Sequence, residues 1–397
     1  MRGGVTGSKH RMKNSPLHEF VTPSQIDALR KPIKEARGLP RPVYVDEEFY
    51  RYELGALFTK QWTGVAYAGS IAEPGDATPV TVAGLPLMLV RGEDGEVRAF
   101  HNVCRHRGTI VLQEPVRHAR TLRCGYHSWT WDLEGQLRSR PLWDGREDAK
   151  EDCLVVVRCA VWCGIIFVTL SDETAPLEEH FRFLWDRWKL FDFEALAPFA
   201  IRDWQFKTNW KLHALGVLEP YHEPFIHPQI INTVTDPVTG EKKMDNDTFA
   251  NHLEGTCIGI STPGTDRDYN WSGNFPRLPG LPDDVEYGQD IFLLFPNVTV
   301  AIAPNHVLTM ICSPEAVDRS NVSVALFVAH KAATDPALAE DRDSLLSDWT
   351  QVTEQDAAVL ELQQAGHASP VSDQAKFSPF WESTAHYFEM RVIEELE

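Results

Sequence analysis

Cys104-Arg105-His106-Arg107-Gly108 and, further on, Cys124-Gly125-Tyr126-His127 are the residues on which the reading of this chain turns. Each arm supplies one cysteine and one histidine, and 17 residues separate His106 from Cys124. Two thiolates and two imidazoles suit either a structural zinc ion or a [2Fe–2S] centre with both histidines on one iron. Zinc fingers usually pair like with like along the chain. Mixed arms are what a two-iron centre needs, because one iron takes both thiolates and the other both imidazoles. Gly108 and Gly125 stand where tight loops call for positive φ or close backbone approach. The arrangement favours iron–sulfur over zinc, and either over an accidental grouping.

The run Cys-Arg-His-Arg-Gly … Cys-Gly-Tyr-His-Ser-Trp resembles the Rieske domains of the Rieske non-haem iron oxygenases, the α subunits of aromatic ring-hydroxylating oxygenases. That resemblance implies Cys104, His106, Cys124 and His127 as the ligands of a Rieske-type [2Fe–2S] cluster. A small Rieske ferredoxin would carry the same run, so the rest of the chain has to decide.

A second constellation lies at Asn209-Trp210-Lys211 … Glu219-Pro220-Tyr221-His222-Glu223-Pro224-Phe225-Ile226-His227. On one regular helix His222 and His227 would point about 140° apart. Pro224 forbids such a helix, so the chain can bend and re-aim His227; Pro220 acts similarly against residue Gly216 one turn earlier. Alone, two histidines at this spacing are weak evidence for a metal. The segment is similar to the oxygenases' second metal motif, which implies a two-histidine, one-carboxylate site for mononuclear Fe(II). For the carboxylate, the stripe Leu345, Trp349, Val352, Asp356, Val359, Gln363 on a helix from about 341 to 364 puts Asp356 on the buried face and turns Glu354 to solvent. A carboxylate on an apolar stripe needs a metal or an ionic partner. The resemblance further implies that Glu219 bridges the iron site to the Rieske domain of a neighbouring subunit, through His222 and that subunit's His127. Glu stands where aromatic-ring dioxygenases usually carry Asp, a replacement resembling members that act on quaternary ammonium compounds, and Leu215-Gly216 replaces an upstream Glu-Asn pair.

Length and composition fit this reading. The 397 residues can bury a sizeable core and predict two domains, and 43% hydrophobic with 24% charged residues is ordinary for a soluble globular chain. A formal charge of −19 argues against nucleic acid as a partner. Seven cysteines form no disulfide framework; Cys153, Cys159, Cys163, Cys257 and Cys312 read as buried thiols. The basic N-terminus has no apolar run behind it, and Val161–Leu170 is too short to span a bilayer, so no membrane is expected and a cytoplasmic setting follows.

In chain order the sequence predicts a polar start to about residue 22, a helix capped by Ser24, and a second helix opened by Asp46 with Phe49, Leu54 and Phe58 inward. Short strands with Gly and Asp turns fill Trp62 to Leu170. One helix is expected over His180–Phe191, and residues 235–288, including Asp236-Pro-Val-Thr-Gly240, read as loop-rich pocket wall or lid. Four strands follow from Ile291 to Ala329, then helices to Gln364 and over 378–395. The expected fold is α+β, with a β-rich Rieske [2Fe–2S] domain (62–172) inserted before a helix-grip, START-like catalytic domain (173–397) with an antiparallel sheet and long C-terminal helices. Residues 1–61 form an arm on the catalytic domain.

The function expected is that of a terminal oxygenase, taking NAD(P)H electrons through a partner reductase or ferredoxin and adding oxygen from O2 to a small aromatic substrate. A monooxygenase or demethylase for a quaternary ammonium, methoxy or N-methyl compound is the alternative. Rivals of other classes are a non-catalytic Rieske electron carrier with a ligand-binding domain and a zinc-stabilised binding protein. A homotrimer, with a β subunit possible, is the expected assembly.

Overall fold

The computed structural model describes residues 16–145, 150–230, 233–235, 242–244, 249–262 and 271–397. Strands β1 (Thr63–Tyr67), β2 (Ala77–Val82), β3 (Leu85–Arg91), β4 (Val97–His101), β8 (Val156–Trp162) and β9 (Ile165–Thr169) form a six-stranded sheet in the order β1-β9-β8-β4-β3-β2. A three-stranded sheet of β5 (Leu122–Arg123), β6 (Thr130–Trp131) and β7 (Leu137–Ser139) stands beside it. Cys104, Cys124, Trp129 and Trp131 share a small core of their own with Met88, Val90 and Phe100. The loops that carry the cysteines therefore rest on a packed base.

A seven-stranded antiparallel sheet follows, built from β10 (Leu196–Phe206), β13 (Ala250–Glu254), β14 (Cys257–Thr262), β15 (Gln289–Leu294), β16 (Val298–Ile302), β17 (Val307–Ala316) and β18 (Arg319–Ala329). Its order is β10-β18-β17-β16-β15-β14-β13, and β11 (Thr233–Thr235) pairs only with β12 (Lys242–Met244). Every residue of β16 is buried, because the sheet is covered on both faces. Val298, Val300 and Ile302 point into a core with Trp62, Ile165 and Phe167 of the preceding region, while Ala301, Leu308 and Met310 point toward the helices.

The helices are α1 (Pro23–Leu29), α2 (Pro42–Val45), α3 (Glu47–Glu53), α4 (Leu177–His180), α5 (Arg182–Arg187), α6 (Trp210–Leu218), α7 (Glu223–Ile226), α8 (His330–Thr334), α9 (Ala339–Gly366) and α10 (Ser383–Leu396). Among the described residues no helix is long and apolar enough to cross a membrane.

Several local expectations need correction. Thr22, not Ser24, caps α1, in a reciprocal box with Gln25. Leu54 packs against the core only half-buried, and Leu57 is the fully buried leucine after α3. The helix expected over His180–Phe191 is broken at Phe181, where two short helices meet. Residues 235–288 hold β13 and β14, disguised by a glycine and polar residues, whereas Asp236–Gly240 lies outside the described residues. Cys163, Cys257 and Cys312 are buried, but Cys153 and Cys159 are only half-buried.

The Asn209-Trp210-Lys211 run anchors α6. Asn209 accepts from the Lys211 N–H at 3.1 Å as the helix cap and donates to the Val317 carbonyl at 2.8 Å. Lys211 is fully buried and pairs with the equally buried Glu53 at 2.6 Å, which also accepts from the Trp210 indole at 2.7 Å. The ammonium lies over the Tyr44, Phe49 and Trp210 rings. Removing one member of such a pair strands a charge in the core, so Lys211→Met is expected to cost about 3–5 kcal/mol. Denaturant titration of Lys211→Met against Glu53→Gln/Lys211→Met checks this; the double variant should recover most of the loss.

Candidate metal centres

The cysteine loops are built alike. The Cys104 carbonyl accepts from the Gly108 N–H at 3.0 Å, and the Cys124 carbonyl accepts from the Ser128 N–H at 3.1 Å. In each loop the residue four places after the cysteine is left-handed, Gly108 at φ 75° and Ser128 at φ 62°. Gly125 was the expected counterpart of Gly108, and the geometry places Ser128 there instead. The His106 and His127 rings lie 4.7 Å apart, and His106 stacks flat on Trp129 at 5.1 Å.

Two observations test this donor set against a metal group. The Nδ1 atom of His106 is buried without a hydrogen-bond partner, so a metal bond would satisfy it. Burial pushes the Cys104 thiol up, and the adjacent Cys124 adds to the shift, so thiolates at this point need a cationic centre.

The second centre is assembled by breaks in the chain. Helix α6 stops at Leu218, and Glu219 takes the extended backbone, φ −116° and ψ 116°, favoured by a residue before proline. Pro220 therefore ends the helix and does not distort Gly216 as the sequence suggested; Gly216 instead leaves room for Leu360 of α9. The one-turn helix α7 has Pro224 in its first turn, with His222 just before it and His227 just after. Asp356 comes from α9, which buries Leu345, Trp349, Val352 and Leu360. Val359, expected on that stripe, is 39% exposed, because the stripe runs 352, 356, 360. Glu354 is exposed, as expected.

The three side chains converge. His227 Nε2 lies 2.9 Å and His222 Nε2 3.5 Å from Asp356 Oδ1, and one donor atom from each residue falls within 4.8 Å of the others. Glu219 accepts from His222 Nδ1 at 2.7 Å and from the His222 backbone N–H at 3.1 Å. Gln355 Oε1 accepts from His227 Nδ1 at 2.9 Å. Because oxygen can only accept in these two contacts, both histidines present Nε2 toward Asp356. Two imidazoles and a carboxylate are the donor set that suits Fe(II) with positions left open.

Burial alone would depress the His222 imidazole, but Asp356 and Glu219 overcome it and push its pKa up to about 11. Burial would raise Asp356, yet the two histidines hold it below the usual carboxylate range. A metal ion replaces protons shared in this cluster, so its affinity is expected to rise with pH across the neutral range. Isothermal titration with Fe(II) in buffers of different ionisation heat would count the protons released. Gln355→Leu should weaken Fe(II) binding about 10- to 100-fold by freeing the His227 ring to turn.

Two cavities meet at this cluster. An inner one, inner in the sense of lying against the seven-stranded sheet, is about 60 Å³ and is walled by Ile291, Leu308, Met310, Val352 and the stacked pair Trp271 and Trp349, whose rings lie 3.8 Å apart. An outer one of about 150 Å³ has Glu219, His222 and Asp356 on one wall and Tyr44, His367 and Glu389 on the other. Nothing in the sequence marks Glu53, Gln355, Glu389 or Trp271, and Trp349 shows there only as an apolar stripe residue; their contacts reach dozens to hundreds of residues along the chain.

Residues 61–148 match the Rieske [2Fe-2S] domain family, and residues 193–397 match the ring hydroxylating alpha subunit (catalytic domain) family. The glycine betaine monooxygenase oxygenase subunit of Pseudomonas aeruginosa is 30% identical over 219 residues, 52% of this chain and 50% of that protein. The 2-aminobenzenesulfonate 2,3-dioxygenase subunit alpha of Alcaligenes sp. is 32% identical over 218 residues, 53% of this chain and 52% of that protein. The match thus spans about half the length of these curated relatives. A quaternary ammonium Rieske monooxygenase superposes with a TM-score of 0.77 at 20% identity, over 94% of this chain and 98% of that one. The naphthalene 1,2-dioxygenase of Rhodococcus sp. gives 0.72 at 18% identity, over 94% and 98%. At those identities the superpositions establish the fold.

Proposed function

The chain belongs to the ring hydroxylating alpha subunit family, and from that premise we propose that it is the terminal oxygenase of a multicomponent Rieske system. The observation that carries the reading is the convergence of His222, His227 and Asp356 in a chain that also holds the paired Cys-His loops. In this reading 1–61 is an arm, 62–172 the Rieske domain and 173–397 the catalytic domain. Cys104, His106, Cys124 and His127 hold the [2Fe–2S] cluster, and the triad holds Fe(II). When bound, the cluster supplies single electrons, drawn from NAD(P)H through a reductase or ferredoxin, and the iron supplies O2 activation. The chain's own residues do the rest. Glu219 and Gln355 fix the ring orientations, α9 carries Asp356 to them, and the inner cavity offers apolar walls to a small organic substrate.

A homotrimer in which each Rieske tip meets the neighbour's iron loop accounts for the exposed apolar side chains. Tyr126, Leu142 and Trp143 are exposed beside the exposed His127, and Tyr221, Phe225 and Phe380 are exposed near Glu219. Arg105, Arg107 and Arg123 are exposed around the first patch, and Glu219 and Glu382 line the cavity at the second, so the charges complement each other. A closed head-to-tail ring satisfies both patches at once. The five cysteines outside the proposed cluster form no disulfide, which fits a reducing cytoplasm.

Two substrate classes compete. The inner cavity has a Trp271–Trp349 face and, among its described lining residues, no Lys or Arg. The tryptophan face suits a neutral aromatic ring, or a quaternary ammonium group held by cation–π attraction. Turnover with glycine betaine and with 2-aminobenzenesulfonate, followed by product mass, separates the readings. Gain of two oxygens means ring dioxygenation, gain of one means hydroxylation, and release of formaldehyde means demethylation. No oxygen transfer to any member of a broad aromatic and ammonium panel by the iron-loaded, reduced protein would contradict the assignment.

A further inference from the structure

Resting on the oxygenase reading, we propose that the outer cavity is the proton inlet of the iron site, and that Glu389 is the proton-holding residue at its far end. Both reactions under consideration need protons. Hydroxylation runs R–H + O2 + 2e⁻ + 2H⁺ → R–OH + H2O, and ring dioxygenation adds O2, two electrons and two protons to the arene. The electrons come from the reductase or ferredoxin already named. The protons must cross the protein, and beyond the triad the inner cavity is walled largely by apolar side chains such as Trp271, Trp349, Leu308 and Met310. Beyond Glu219, His222 and Asp356 the outer cavity is also lined by Gln363, His367, Lys376, Glu382 and Glu389.

Its volume of about 150 Å³ holds about five waters at ~30 Å³ each. Polar atoms stand ready for them. His367 stacks on Tyr44 at 4.6 Å, and its Nε2 is buried with no partner. Glu389 lies at the far wall, 3% exposed, accepting from the Tyr44 hydroxyl at 2.9 Å and from the Leu39 N–H at 2.6 Å. Among the described residues no cation pairs with it. Residue 38 is glycine, and a Cβ there would come within 3.1 Å of Glu389 Oε2, so the carboxyl occupies space that a side chain would take.

The charged groups facing Glu389 are Lys211 of α6, whose ammonium is committed to Glu53, and Glu382 ahead of α10. Tyr44 faces it from α2. Burial pushes the Glu389 carboxyl up, only partly relieved by Leu39 and Tyr44, to about 7. An acid poised there gives up and regains a proton at neutral pH with little cost either way. Glu389 touches no metal ligand; it acts through the waters between, as a positioning residue.

The test uses the reduced holoenzyme mixed with O2 alone, where O2 + 2e⁻ + 2H⁺ → H2O2 draws on the same proton supply without a substrate. The rate in excess of that of Asp356→Ala is followed against pH and in D2O. The wild type should lose rate as pH rises through about 7, because only the protonated acid delivers. Glu389→Gln should be slower by about tenfold or more, flat across that range, and more sensitive to D2O, with both metal contents unchanged. Tyr44→Phe removes a donor that favours the anion, so its limb should move to higher pH. Infrared spectra of the resting protein give a readout without turnover: a carboxylic-acid band that titrates near neutrality, vanishes in Glu389→Gln and shifts upward in Tyr44→Phe. Wild-type rates and pH profile in Glu389→Gln, or no such band, would overturn the inlet alone. A fully metal-loaded wild type no faster than Asp356→Ala would overturn the oxygenase reading instead.

Discussion

Asp356→Ala is expected to lose the mononuclear iron and all oxygen transfer while leaving the visible spectrum of the cluster untouched. Asp356 is the one anion of the triad and faces both Nε2 atoms. Without it the two imidazoles keep their supports in Glu219 and Gln355 but have no charge to offset a dication. Removing a ligand's hydrogen-bond partner already costs about 10- to 100-fold in affinity, so losing the ligand should cost more. Glu354→Ala is the control, because its side chain is exposed on the same helix. Metal analysis of the two variants checks the claim; iron lost from Glu354→Ala and kept by Asp356→Ala would show that the helix presents the other carboxylate.

Glu219→Gln should leave iron, cluster and assembly in place and slow reoxidation of the pre-reduced cluster by about a hundredfold, ~2.7 kcal/mol of barrier. The carboxylate holds the Nδ1 proton of His222 at 2.7 Å and still has lone pairs for His127 of a neighbouring copy. An amide keeps the size but loses the charge, and while its oxygen accepts from one imidazole its NH2 is left facing the other donor. Glu219→Asp retains the charge with less reach, so part of the rate should return. Stopped-flow absorbance of the cluster on mixing with O2 and substrate gives the rates, and sedimentation gives the assembly. An unchanged rate in Glu219→Gln would remove the bridge, and full activity in a monomer would remove the ring of subunits.

What the sequence made legible was what lies close along the chain. Cys104 with His106, His222 with His227, and Asp356 on its helical stripe were all readable from spacing and periodicity; the structure brings His222, His227 and Asp356 together and sets the His106 ring beside His127. Val359 failed because the stripe advanced by four residues twice, a drift that 3.6 residues per turn permits and a short window does not reveal. Ser128 was missed because a left-handed serine carries no compositional signal, whereas Gly108 does. Strands β13 and β14 were passed over since Gly259 and the polar stretch Ala250–Glu254 resemble loop sequence; their partners across the sheet decide them. Long-range pairs that no motif or helical stripe marks were beyond reach. Nothing near Glu53 announces Lys211, and nothing near Glu389 announces Tyr44, since burial joins residues far apart along the chain.

The central claim is that one chain holds two different iron centres, and Mössbauer spectroscopy of iron-isotope-enriched protein tests it most directly. The account predicts two unequal irons of a [2Fe–2S] pair, one with sulfur and one with imidazole ligation, plus a separate high-spin Fe(II) that disappears in Asp356→Ala. A zinc ion at the cysteines, or a cluster with no third iron in the fully loaded wild type, would contradict it.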